Sequence, residues 1–305
     1  MANKLFVSSV FALWLSSMSW LVVVRILPSF GGGEPPLSES YETGKVVAWR
    51  VDWNGKDVGR AASVRVAGVD ATIELHNRLR LEKFPLMELA PSFMRFALGE
   101  IEDMTFDAIT RIEFDPLGNF SSFDSRISVN ELPSVLTITG RIKDACLELK
   151  VSAGAITHRT PVYLPDSKSL NEALFPVSKL PNIRVGRRWK EEVYSPFRTA
   201  GDPVELVQVE VVGVEQMLYE DDNVRVLRVE YRSITSTGVA ENSKLLAVSW
   251  VESQEGSVLR RDVYVGDSKL RFERLSDSEA MEVGDVLFEE ILRRKESDSL
   301  LDVPQ

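Results

Sequence analysis

The chain has 305 residues, 44% of them hydrophobic, which suffices for a sizeable folded core, and a formal net charge of −10. That charge excludes a general nucleic-acid binder, whose affinity would rest on Lys and Arg neutralising phosphates, and argues against a body lying flat on anionic lipid. With one cysteine, Cys146, the chain has no disulfide framework, and the strand-like run around it reads as a buried structural thiol.

From Leu5 to Val24 no residue is charged, and Lys4 and Arg25 bracket the run. A helix of about 20 residues crosses a ~30 Å hydrocarbon core. Ser17-Met18-Ser19 offers a small-x-small cleavage site, yet Leu21 to Val24 carries the apolar run past it, which favours an uncleaved anchor over a cleaved signal. No cysteine follows for lipid attachment. The expectation is a single-pass protein of the cytoplasmic (inner) membrane, touching the bilayer through residues 5–24, with its C-terminal body outside the cytosol in the periplasm.

The organisation expected is an anchor over 1–27, a linker over 28–40, a β-rich domain over 41–295 and a frayed tail over 296–305. The linker contains Gly31-Gly32-Gly33 and Pro35-Pro36. Val46 to Trp53 then alternates as a strand, Asn54-Gly55 is a two-residue hairpin turn, and Ala61 to Val66 returns. Further strands are expected over 71–81, 110–114, 122–129, 135–142, 145–151 and 156–160. An amphipathic helix is expected between Pro85 and Ile101, capping one end or face of the sheet.

A proline-bearing crossing, Pro161 to Pro181, separates a second block of strands over 188–193, 204–216, 224–235, 244–252, 258–265 and 269–275. Asp285 to Arg294 reads as a last helix. The fold class is therefore mainly β (α+β): a curved antiparallel sheet or open β-barrel with one or two short helices, preceded by a transmembrane helix. The pattern favours one continuous sheet over two subdomains.

No catalytic motif is present. His76 and His158 lie about eighty positions apart in strand-like runs, without the clustering that zinc or a nucleophile-base pair needs, and read as surface strand residues. The acidic run Glu220-Asp221-Asp222 reads as a solvated hairpin tip. No metal, cofactor or catalytic residue is assigned. The distinctive residues are aromatic: Trp49, Trp53, Trp189, Tyr194 and Trp250 fall in or beside strands, where core is the ordinary fate, but facing a concavity together they would line an apolar groove for an acyl chain or peptide.

Two stretches carry a family resemblance. Trp49-Arg50-Val51-Asp52-Trp53-Asn54-Gly55-Lys56-Asp57-Val58-Gly59-Arg60-Ala61 resembles the opening hairpin of an uncharacterised family of bacterial envelope β-domains, and Phe175-Pro176 through Leu180-Pro181, followed by Val185-Gly186-Arg187-Arg188-Trp189, is similar to that family's proline then Gly-x-x-Trp entry into its second half. The resemblance implies the open-barrel fold of the bacterial lipoprotein carriers, with a helix closing the mouth. It supplies no functional residues. Three readings follow: a tethered domain binding an apolar ligand or an envelope partner protein, a scaffold or accessory subunit of a membrane-bound enzyme complex, or a carboxylate-based hydrolase with two acids ~5–10 Å apart. The first requires an open apolar concavity; the second, an interior filled by the protein's own side chains and an exposed outer patch.

Overall fold

A computed structural model describes residues 17–20, 40–84, 104–130, 132–143, 146–154, 156–163, 171–172, 175–194, 204–234 and 244–288. Strand β1 (Val46–Trp53) sends Val47, Trp49, Val51 and Trp53 to one face, where all four are buried in the main core. Val46 and Ala48 go to the other face. Asn54 (φ 49°) and Gly55 (φ 85°) supply the two left-handed positions of a tight hairpin turn. β2 (Lys56–Ala67) then returns along β1. Gly59 is needed where it stands, because a Cβ there would lie 2.1 Å from the Arg80 carbonyl oxygen on the next strand.

The meander continues through β3 (Ile73–Phe84), β4 (Met104–Phe114), β5 (Phe120–Val129), β6 (Leu132–Lys143), β7 (Cys146–Ala153) and β8 (Ile156–Tyr163). The second block comprises β9 (Asn171–Glu172), β10 (Arg188–Tyr194), β11 (Val204–Tyr219), β12 (Asp222–Ser233), β13 (Leu245–Glu252), β14 (Val258–Val265) and β15 (Ser268–Arg274). Glu220 and Asp221 form the turn between β11 and β12, both with positive φ, so the acidic run is a hairpin tip.

All the strands join one 15-stranded sheet, ordered β8 down to β1 and then β15 down to β9. Its ladders are antiparallel except for the short parallel pair β9–β10. The first and last strands meet at the centre, where Trp49 opposes Arg274 and Trp53 opposes Leu270. The two blocks are therefore halves of a continuous sheet zipped along β1 and β15.

This order forces the sheet to curl. Tyr163, ending β8, and Asn171, starting β9, are eight residues apart, a reach of at most about 29 Å, although they belong to opposite edges. Fifteen strands laid flat at ~4.8 Å spacing would put those edges about 67 Å apart. Curling turns one face inward as a core shared by both halves, with Trp49, Phe106, Phe114 and Phe272 fully buried. Trp53, Phe84 and Phe106 stack within it at centroid distances of 5.1 and 6.5 Å. The barrel stays open, since β8 and β9 do not pair.

Helix α1 (277–288) starts earlier than the sequence pattern suggests and lies on the outward face. Ser276 opens it with a capping box: its Oγ accepts from the Glu279 amide at 3.4 Å, and its own amide donates to Glu279 Oε2 at 3.0 Å. Ala280, Leu287 and Phe288 pack with Ala48 and Ala62 in a second, smaller cluster. The helix expected between Pro85 and Ile101 lies outside the described residues, as does the segment 5–24 except for residues 17–20, which are helical. No helix among the described residues is long and apolar enough to cross a membrane. Cys146 is half-buried at the start of β7, less enclosed than its apolar flanks suggest.

Candidate functional site

The aromatic residues singled out from sequence do not converge on one groove. Trp49, Trp53 and Trp189 are 0%, 6% and 4% exposed in the main core. Trp189 Nε1 donates to the buried Glu191 carboxylate at 3.1 Å. Trp250 lies on the other face, half-buried, under the Arg260 guanidinium at 4.4 Å, with its Nε1 donating to Glu215 at 2.8 Å. Alternation separates it from Trp49: Trp250 opposes Arg260, which opposes Glu273, which opposes Arg50. The side chain of Tyr194 lies outside the described residues.

An open groove of about 1030 Å³ lies along β3–β8, lined mainly by the outward-facing side chains of those strands. Register carries one row of residues straight across it: His76, Arg111, Asp124, Thr139, Lys150 and Arg159. A parallel row runs Glu113, Ser122, Arg141, Glu148 and Pro161. Gly140 thins the groove wall, because a Cβ there would fall 2.3 Å from the ring of Phe123, its cross-strand neighbour. His76 corrects the surface-strand expectation: it is 7% exposed, and its Nε2 lies 2.9 Å from the Glu74 carboxylate. His158 on β8 is exposed, as expected.

Charge is distributed unevenly over this outward face. Across the second half and its seam with β1, cations meet acids: Arg188 pairs with Glu210, Arg228 with Glu215 and Glu230, Arg232 with Glu230, and Arg50 of β1 with Glu273. The densest node is Asp262, 1% exposed, which accepts from Arg260 at 3.1 and 2.9 Å and from Arg271 at 3.0 Å, with Lys269 at 3.5 Å. Burial pushes the Asp262 carboxyl up, but the hydrogen bonds and charges of Arg260 and Arg271 prevail and hold it below the ordinary carboxylate range.

A depressed folded-state value means that Asp262 stabilises the fold above its unfolded value of about 4, and that this contribution is lost as pH falls through the lower folded value. Urea midpoints measured from pH 7 to pH 2 should therefore fall less steeply below about pH 4 in Asp262→Asn than in the parent, from a lower neutral plateau. Parallel curves would remove Asp262 from the acid response.

The groove lacks this compensation. It holds Arg111, Arg126, Arg141, Lys150 and Arg159 against Glu113, Asp124 and Glu148, a cationic surplus in an acidic chain. Arg126 pairs with Asp124 at 3.0 Å, and Arg111 reaches Glu113 at 4.0 Å. Arg141, Lys150 and Arg159 are exposed and have no ion-pair partner among the described residues. Lys150 and Arg159 stand directly opposite each other, a like-charge cross-strand pair that disfavours the free sheet. Nothing in the sequence flagged these residues, because their neighbourhood exists only through the register of six strands. Among the described residues no cluster of three or more His, Cys, Asp or Glu could hold a metal ion.

The sequence matches no protein-family model and no curated protein sequence. Among solved structures, it is similar to a β-barrel-like protein of a domain of unknown function, DUF1849, from Brucella abortus, at 10% identity and TM-score 0.46, covering 76% of this chain and 95% of that one. It is also similar to the hypothetical lipoprotein YmcC from Escherichia coli, at 12% identity and TM-score 0.30, covering 77% of this chain and 88% of that one. A DUF1089 family protein from Pseudomonas aeruginosa shares 10% identity at TM-score 0.31, covering 68% of this chain and 89% of that one. Likenesses this remote bring no residue roles to this chain.

Proposed function

We propose that this protein is a non-enzymatic docking module, tethered by its N-terminal apolar segment outside the cytosol, whose groove across β3–β8 receives a partner polypeptide. One observation carries the reading. Trp49, Trp53 and Trp189 are packed into the protein's own core, whereas the opposite face of the first half presents an open groove with uncompensated cations. A filled interior beside a charged outer patch is the arrangement expected of an adaptor or accessory subunit. An acyl carrier needs an apolar cavity to enclose its ligand's chain.

The test is site-specific. A photo-crosslinking residue placed at the exposed groove position Arg126 should yield a discrete polypeptide adduct in intact envelopes. The same residue at Val214, exposed on β11 in the other half, should not. Charge reversal at Arg141 and Lys150 together should abolish the Arg126 adduct. Native mass spectrometry of the chain extracted from its own membranes should show it free of stoichiometric lipid. A co-purified acyl lipid, with no groove adduct, would instead assign the function to the aromatic interior.

A further inference from the structure

Strand β8 is one edge of the sheet. Its eight residues pair with β7 on one side, and among the described residues nothing pairs with the other. Ile156, Thr157, His158, Arg159 and Pro161 are exposed along it. Such an edge offers a row of unpaired N–H and C=O groups, a template for one more strand. It also forms the outer wall of the groove, through Arg159, Thr160 and Pro161.

The row that crosses the sheet ends on Lys150 and then Arg159. A residue of an added strand placed next in that row would stand directly opposite Arg159, with Lys150 one strand beyond. In the parallel row, two residues along on the same face, an added strand would meet Pro161 and then Glu148, with Arg141 beyond them. Side chains on a strand return to the same face every second residue. A carboxylate in the first row would therefore meet Arg159 and Lys150, while its immediate neighbours in the strand faced away.

We propose that β8 is the acceptor edge for an extended acidic segment of a partner protein, which joins the sheet with a carboxylate in the row of Arg159 and Lys150. This rests on the groove being the docking surface. Charge complementarity selects the occupant: a second copy of β8 would bring another Arg159 against the same cations. An acidic strand relieves the Lys150–Arg159 opposition.

The experiment uses the full chain in detergent micelles and a labelled peptide, Thr-Glu-Val-Glu-Thr-Glu-Val-Glu, with binding read by fluorescence anisotropy. Two changes are each expected to weaken binding at least about tenfold: N-methylating alternate backbone amides of the peptide, and Arg159→Glu in the protein. Arg159→Glu turns a like-charge pair into an opposite one at an exposed edge, so its circular dichroism should match the parent. Loss with Arg159→Glu but full binding of the N-methylated peptide would place acids in the groove without strand addition; the inference would fall while the groove reading stood. Binding indifferent to charge reversal at Arg159, Lys150 and Arg126 alike would remove both. No peptide binding overturns the strand inference alone if the Arg126 adduct still forms. A concentration-dependent dimer abolished by Arg159→Glu would give the edge to a second copy and overturn it as well.

Discussion

Replacing Trp49 with Ala should lower the unfolding free energy by about 3–5 kcal/mol, the range for removing a buried aromatic from a core. Trp49 is 0% exposed and stands at the seam of the two halves, opposite Ala61 on β2 and Arg274 on β15. The cavity left by its indole would therefore open between the strands that join one half to the other. One feature moderates the loss: the indole Nε1 is buried and has no hydrogen-bond partner among the described residues. An unsatisfied buried donor costs about 1–3 kcal/mol, so the alanine variant should fall toward the low end of its range. Trp49→Phe, which keeps a ring and removes that donor, should cost much less. Urea midpoints at unchanged m-value measure both. An alanine variant as stable as the parent would mean that Trp49 borders open space and would return weight to an apolar binding groove.

Replacing Arg78 with Ala should cost about 3–5 kcal/mol, as expected when one partner of a buried ion pair is removed, and should loosen α1. Arg78 is 6% exposed, on the outward face of β3. Its Nε and Nη2 donate to the two Asp107 carboxylate oxygens at 3.0 and 2.7 Å, and its Nη1 donates to the Leu287 carbonyl of α1 at 2.8 Å. The Asp107 side chain keeps 23% of its exposure, so water reaches the abandoned carboxylate and the effect should lie at the low end. Lysine should not rescue, because a single ammonium cannot replace a planar fork bonded in two directions. Amide hydrogen exchange over 277–288 should accelerate in Arg78→Ala; protection equal to the parent's would show that α1 is held by its apolar contacts alone.

Those contacts explain why α1 starts before the helix expected from Asp285. Ala280, Val283, Gly284, Leu287 and Phe288 follow helical spacing, but Ala280 and Gly284 add little apolar bulk, so the periodic signal is weak before Asp285. Small residues are what the contact requires: α1 lies on Ala48 and Ala62, and a Cβ on Gly284 would come 2.8 Å from a methyl of Val46. The capping box Ser276-Asp277-Ser278-Glu279 stood in the sequence as an unused start signal.

The sequence by itself placed most of the strands of both blocks, though not β9 or the first half of β4, together with the Asn54-Gly55 turn and the acidic hairpin tip, because each depends on alternation and turn chemistry within a few residues. It also placed Trp49, Trp53 and Trp189 in strands, although it left open whether they faced a core or a ligand. Only the tertiary structure decided that β1 pairs with β15, which makes one curled sheet of two blocks. It likewise decided that Trp250 faces away from Trp49, and that Arg141, Lys150 and Arg159 gather at one uncompensated edge. These are facts of register between distant strands, and a one-residue slip in any ladder would send the same side chains to the opposite face.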